Sequence, residues 1–348
     1  MSISRKLIET AAGSSDDTVP FVEGVFSTYL YAGNSFGKTI SNGIDLDGEG
    51  GLVWIKRRSA SGDHALFDTE RGRTNPPRLR TNGTDGNIGT PDGLNYFNPD
   101  GFRLGAEGLV NKSGDDYVSW TWRLQPKFFD VVTYTTDGST AWEELELPHN
   151  LKSVPGAVFV KRIDTNSEWW CAMRKDNTSY VTGTTAESFG LNSTRAAKLL
   201  TGISSCATDT TFKPALMAQT GNAAIQDGEY VAYLFGHDDS AQSIIKCGSY
   251  TGNGSTANDI DIGFEPQWVL IKNTTSSNQW YLFDVMRGIP PAPEGDAYLL
   301  SGTNGKEVSS ESYIDILSNG FSLRDDNAAV NADGSTYIYM AIRKPDTP

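Results

Sequence analysis

Cysteine is nearly absent: Cys171, Cys206 and Cys247 are the only three in 348 residues. An odd number without paired spacing argues against a disulfide framework. None of the three stands in a Cys/His cluster of zinc spacing. Long apolar runs are missing as well; nothing approaches the roughly 18 consecutive apolar residues that a membrane helix requires, so no membrane insertion is expected. Cations are in the minority. Lys plus Arg total 29 against 43 Asp plus Glu, a formal net charge of −14. That balance speaks against a nucleic-acid or anionic-membrane partner, because phosphate binding needs clustered positive charge. The opening residues 1–13 lack the apolar centre of a secretory signal, so the Asn-x-Ser/Thr triplets are expected to carry no glycan. What the chain does have is turn formers, 36 Gly and 15 Pro, and aromatics at 11%.

It also has internal repetition. An apolar run ending in Lys occurs three times: Gly51-Leu52-Val53-Trp54-Ile55-Lys56, Ala157-Val158-Phe159-Val160-Lys161 and Gln267-Trp268-Val269-Leu270-Ile271-Lys272. A second marker follows each in the same order: Tyr117 to Arg123, Tyr230 to Gly236, and Tyr337 to Arg343. Eight residues after each Lys stand His64, Trp169 and Trp280. The first and third copies share Leu-Phe-Asp-x-x-Arg-Gly, at Leu66–Gly72 and Leu282–Gly288, and later Gly-Phe, at Gly101-Phe102 and Gly320-Phe321. The second copy has drifted; it reads Trp170-Cys171-Ala172-Met173-Arg174, and residues 175–225 align poorly.

The copies read as all-β. Around 117–123, Val118, Trp120 and Trp122 alternate with Ser119, Thr121 and Arg123, the period of a strand with one buried face. The run before each Lys is continuously apolar and β-branched, as in a strand covered on both faces. Recurrent Gly, Asn and Asp clusters mark turns of a sandwich or jelly roll. The expectation is three tandem β-sandwich, jelly-roll-like repeats over 20–126, 127–239 and 240–348, packed rigidly through short linkers. Residues 1–19 are a helical anchor and linker, with Ile3, Leu7 and Ile8 on one stripe. A lone helix of that length is marginal in water and forms when docked, here on a partner.

Motifs that could carry chemistry mostly have plain readings. Gly33-Asn34-Ser35-Phe36-Gly37-Lys38-Thr39 is one residue short of a phosphate loop and no helix follows it, so it reads as a hairpin turn. Asp45-Leu46-Asp47-Gly48-Glu49 opens like a calcium loop, but Lys56 occupies its twelfth position, so a surface strand is expected and no metal. His64, His149 and His237 lie far apart, and no Gly-x-Ser-x-Gly elbow exists to pair with them. Adjacent acids such as Asp115-Asp116 point to opposite faces of a strand and cannot share a glycosidic bond. Asp68 with Arg71, and Asp284 with Arg287, read as ion pairs holding a turn. Trp142, Trp169, Trp170, Trp280 and Tyr281 flank polar segments and are the candidate glycan-contact residues, since a sugar needs an aromatic face beside placed polar groups.

The combination Val53–Lys56, Leu66–Gly72, Gly101-Phe102 and Tyr117–Trp122, with its counterparts in the third copy, resembles a repeat of tailed-bacteriophage virion proteins, many of them marine. The resemblance covers most of residues 20–345. It implies a non-enzymatic virion structural protein without cofactors, a tail appendage or fibre-type component, made in the bacterial cytoplasm and oligomeric in the particle. The N-terminal segment would join other virion proteins, and the sandwiches would face a host surface polysaccharide. A capsid decoration or head-fibre protein is one alternative, and a tail-associated glycan-cleaving enzyme is another.

Overall fold

The computed structural model describes residues 21–139, 144–182, 190–202, 206–214, 226–289 and 295–345. The expected helix bearing Ile3, Leu7 and Ile8, and the candidate residue Trp142, lie outside the described residues. The described residues start with a single 3-10 turn, Val22–Gly24, and the regular structure that follows is nearly all strand. The first segment contains β1 (Phe26–Ala32), β2 (Lys38–Ser41), β3 (Gly51–Arg57), β4 (Ala65–Asp68), β5 (Leu94–Asn98), β6 (Gly101–Leu104), the helical turn α1 (Gly108–Asn111) and β7 (Asp116–Arg123). The second contains β8 (Phe129–Thr136), β9 (Leu147–Pro148), β10 (Ala157–Arg162), β11 (Trp169–Asp176), β12 (Ser179–Thr182), β13 (Lys198–Thr201), β14 (Thr211–Phe212) and β15 (Gly228–Phe235). The third contains β16 (Ile245–Thr251), β17 (Asn258–Asp261), β18 (Pro266–Asn273), β19 (Trp280–Asp284), β20 (Asp296–Leu300), β21 (Val308–Glu311), β22 (Ile314–Leu317), β23 (Gly320–Leu323) and β24 (Thr336–Arg343).

Each segment contributes one large and one small antiparallel sheet. The large sheets run β1-β7-β3-β4, β8-β15-β10-β11-β12-β13 and β16-β24-β18-β19-β20-β21. In all three, the segment's first strand pairs with its last, the last with its third, and the third with its fourth. The small sheets are β2-β6-β5, β9-β14 and β17-β23-β22. The Gly-Phe motif has a local cause. Gly101 and Gly320 follow tight turns, and a Cβ there would stand 2.1 Å from Ile40 O and 1.9 Å from Ile260 O on the paired strand. Only glycine lets the two backbones approach so closely.

Two readings of the sequence change here. The strand β7 is buried on both faces, including Ser119 and Thr121. Its alternation separates two cores instead of core from solvent. The Gly33–Thr39 stretch does not close a hairpin: β1 lies in the large sheet and β2 in the small one. The turn carries the chain between them and is stapled by buried Asn111, whose Oδ1 accepts from Asn34 N (3.0 Å) and whose Nδ2 donates to Asn34 Oδ1 (3.0 Å) and Gly105 O (2.7 Å). Asn331 does the same for Asn253 in the third segment.

One face of each large sheet packs on its own small sheet. Val53, Ile55 and Tyr117 belong to the first of these local cores, Val158, Val160 and Tyr230 to the second, and Val269, Ile271 and Tyr337 to the third. The opposite faces meet in one shared core. It unites Trp54, Trp120 and Trp122 with Phe159, Trp169, Tyr233 and Phe235, and with Trp268, Trp280, Ile338 and Met340. At its centre Trp122 touches rings from every segment: Phe26 (5.2 Å), Phe129 (6.3 Å), Phe235 (6.1 Å) and Trp268 (5.7 Å between centroids).

Candidate functional site

Around that core the segments meet along three seams, and the marker lysines lie on them. Lys56, Lys161 and Lys272 each end an apolar strand and are fully buried. Each ammonium donates to carbonyls of a loop in another segment: Lys56 Nζ to Gly305 O (2.6 Å), Lys161 Nζ to Thr84 O (2.9 Å), and Lys272 Nζ to Thr194 O (3.3 Å) and Arg195 O (3.0 Å). The acceptors at 84, 194 and 304–305 stand in register. The same holds for the backbone. Ile163 O accepts from Asn87 N (2.7 Å), Thr274 O from Ala197 N (2.9 Å) and Arg58 O from Glu307 N (3.0 Å). Thr84 O accepts from Ser167 N (2.7 Å), Thr194 O from Asn278 N (2.6 Å) and Asn304 O from Gly62 N (2.8 Å). The third segment bonds to the second, the second to the first, and the first back to the third. The ring is closed.

A buried ammonium is tolerable only when its donors are satisfied. Here carbonyl dipoles do that work. Burial foremost pulls Lys56 and Lys161 down to about 8, and Lys272 to about 7.

The residues eight positions on also cross the seams. Trp169 Nε1 donates to Arg80 O (3.0 Å), Trp280 Nε1 to Gly190 O (2.9 Å), and His64 Nε2 lies 3.0 Å from Leu300 O. Trp54 Nε1 donates to His64 Nδ1 (2.8 Å), which assigns the His64 proton to Nε2. Burial holds the His64 imidazole down to about 3.

The Asp-x-x-Arg corners complete the seams. Asp68 accepts from Arg71 N (2.9 Å) and Arg71 Nε (2.6 Å), and Tyr233 OH of the second segment donates to its Oδ2 (2.7 Å). Asp284 accepts from Arg287 N (2.9 Å) and Nε (2.5 Å), and from Trp120 Nε1 of the first segment (2.9 Å). Strand register puts Met173 where these aspartates sit: Leu52 faces Asp68, Trp268 faces Asp284 and Ala157 faces Met173. The donor position held by Trp120 and Tyr233 is Met340 in the third segment. Acid and donor are thus both replaced by methionine at one seam, and both methionines lie in the shared core. With three donors each and no exposed surface on either side chain, these carboxylates hold corners and have no route to a substrate.

The candidate glycan contacts are placed otherwise than expected. Trp169 and Trp280 are 0% exposed, Trp170 5% and Tyr281 9%. A ring without an open face cannot stack on a sugar. Trp169 and Trp280 each begin a strand straight after a polar loop, but their rings are enclosed and their polar edges are spent on seam carbonyls. Trp170 belongs to the second local core, and Tyr281 packs with Tyr298 (5.2 Å) and Tyr313 (5.9 Å).

The other chemistry-bearing residues are structural too. His149 Nδ1 accepts from Leu151 N (3.2 Å), and His237 Nδ1 from Cys247 N (3.2 Å). Cys206 and Cys247 are buried, which lifts their thiols to about 12, so neither is an activated nucleophile. Asp45 and Asp47 fall in a turn, not the surface strand expected, with Gly48 N donating to Asp45 Oδ1 (2.7 Å). Among the described residues no group of three or more His, Cys, Asp or Glu could hold a metal.

A family model described as "Domain of unknown function (DUF7483)" matches residues 23–345. The chain belongs to the DUF7483 family. The DUF7483 match begins at Glu23, within the 3-10 turn before β1, and ends two residues after β24, so it takes in all three segments and every seam. No curated protein is significantly similar to this DUF7483 chain. Among the described residues no helix is long and apolar enough to cross a membrane.

Proposed function

We propose that this protein is a non-enzymatic structural component of a bacteriophage virion, of the tail appendage or fibre type. Its three segments are tandem copies of one jelly-roll-like β-sandwich. The observation that carries this reading is the closure of the ring. Three sequence-equivalent seams use the equivalent lysine, the same backbone bonds and a ring N–H crossing from the same position, Trp169, Trp280 or His64, so one chain imitates a trimer. Closed symmetric assembly is the usual state of homo-oligomers, and a single-chain imitation of it presents three matching faces to a threefold neighbour. The resemblance of the repeat to phage virion proteins supplies the setting.

The chemistry of the buried groups agrees with a scaffold. The Asp–Arg corners, His64 and the marker lysines are all consumed in holding segments together. The anchor is the N-terminal stretch with Ile3, Leu7 and Ile8, and the outer loops face the host surface glycan.

The test is proteomics and imaging of purified particles. The chain is expected in the particle, with three-lobed density at the tail. A second preparation in which residues 1–18 are deleted should yield folded protein that no longer joins particles. Absence of the full-length chain from particles overturns the virion reading. Incorporation of the truncated form overturns the anchor.

A further inference from the structure

The three seams are equivalent in backbone but not in filling. At the seam between the third and first segments, Arg58 donates through Nε and Nη2 to Glu307 Oε2 and Oε1, both at 2.8 Å, and this bidentate pair occupies the groove. The corresponding residues between the first and second segments are Ile163 and Asn87, matched by the same backbone bond. An isoleucine and an asparagine form no such ion pair. A cleft of about 390 Å³ stands open there.

We infer that this cleft is a binding site for a neutral saccharide, about one to two sugar units in size. Its lining follows from the register of β8 and β15. Along the inward face of that pair, Phe129 with Phe235 and Val131 with Tyr233 lie toward the shared core; Thr133 with Val231 and then Thr135 with Glu229 follow toward the rim. The face therefore turns from apolar to polar where the cleft opens. Thr133, Thr135 and Glu229 are exposed, and buried Ile163 gives an apolar floor. The first segment supplies the opposite wall. Arg71 Nη1 donates to Asn87 Oδ1 (2.9 Å), which fixes the amide and leaves its Nδ2 donors to the cleft. Exposed Glu70 adds a second carboxylate.

Acceptors on two carboxylates, donors on a fixed amide, two hydroxyls of either role and an apolar floor match a ring that carries hydroxyls around a C–H patch. An acidic sugar is disfavoured by Glu70 and Glu229. The cations nearby are already engaged, Arg71 by Asp68.

This assignment rests on the glycan-facing reading above only for the source of the sugar. Titration calorimetry and ligand-observed NMR on the full chain would use neutral disaccharides of glucose, galactose and N-acetylglucosamine, with glucuronic acid and spermidine as the charged probes. Binding of at least one neutral disaccharide at about millimolar Kd is expected, weakened tenfold or more in Asn87→Ala and Glu229→Ala. The decisive variant is Asn87→Glu with Ile163→Arg, which copies the Arg58–Glu307 pair into the open seam. It should still fold, with a single thermal transition, and bind no sugar. No neutral disaccharide bound by wild type, a preference for spermidine, or unaltered binding in the filled-cleft variant each overturns the site. Failure of the site leaves particle incorporation untouched, so the two readings fail separately.

Discussion

At the scale of single residues, the seams are built from buried polar groups whose worth depends on every partner being present. His64 is one case. Its neutral form is fixed by Trp54 on one nitrogen and Leu300 O on the other. Burial lowers its folded pKa to about 3, against about 6.5 in an unfolded chain. Between those values the unfolded state binds a proton that the folded state does not. Stability therefore rises with pH across the window, is fully present above pH 6.5, and is lost as pH falls toward 3, at about 1.36 kcal/mol per unit. Asp296 opposes part of this, because burial raises its carboxyl to about 6. The comparison that isolates His64 is a urea midpoint measured from pH 7 to pH 4 for wild type and His64→Phe. The variant should be less stable at pH 7 by about 2–4 kcal/mol, from the orphaned Trp54 donor and Leu300 carbonyl, and should lose less on acidification. An identical acid slope in both proteins contradicts the assignment. Tyr233 gives a second case. Tyr233→Phe removes one donor from the buried Asp68 carboxylate and should cost about 1.5–3 kcal/mol, the range for a hydrogen bond to a charged group. Equal denaturation midpoints for the two proteins would show that the Tyr233–Asp68 bond contributes nothing.

At the scale of elements, strands were legible wherever local pattern carried them, and their pairing was not. The apolar runs before Lys56, Lys161 and Lys272 became β3, β10 and β18, and the Tyr-headed markers became β7, β15 and β24. What local pattern could not show was the second buried face. A Ser-Thr-Arg alternation reads as solvent-facing, yet Ser119 and Thr121 are enclosed because the small sheet covers them, and that sheet is built from residues distant in sequence. The tryptophans misled for the same reason. Polar neighbours around Trp169 and Trp280 suggested solvent-facing loops, whereas those loops are bonded across a seam, Ser167 N to Thr84 O and Asn278 N to Thr194 O. The equivalence of Thr84, Thr194 and Asn304 does not depend on their side chains, since each acts through its backbone carbonyl. The Gly-Phe motif was visible without its cause, and the cause is testable. In Gly320→Ala the new methyl meets Ile260 O at 1.9 Å, a backbone atom that cannot move aside without breaking the β17–β23 register. A loss of about 2–3 kcal/mol is expected, near the upper end for overpacking. Hydrogen exchange should quicken in Asn258–Asp261 and Gly320–Leu323 before it does in β18 or β24. Uniform quickening would mean that the small sheet has no local cooperativity of its own.

At the scale of the whole molecule, the shared core decides how the three segments unfold. Beads on a string would melt separately, each with its own local core. Here the large sheets give one of their two faces to a common interior holding Trp54, Trp120, Trp122, Trp169, Trp268 and Trp280. Removing one segment would expose the inner faces of the other two, orphan a neighbour's carbonyl-bound lysine at one of its seams and strip the loop carbonyls of their ammonium at the other. The penalty for such a partly folded state is therefore spread over two seams at once, which favours a single transition even in a chain longer than the usual two-state domain. Trp122 is the residue through which this can be measured, because its ring contacts all three segments. Trp122→Ala should cost about 3–5 kcal/mol, as large aromatic truncations in cores do. The distribution of that loss matters more than its size. If the ring unfolds as one body, calorimetric and van't Hoff enthalpies agree in wild type, and the variant's single endotherm moves down whole. If the segments are thermodynamically separate, the variant's first-segment transition splits from the others and leaves two endotherms, the upper one at the wild-type temperature.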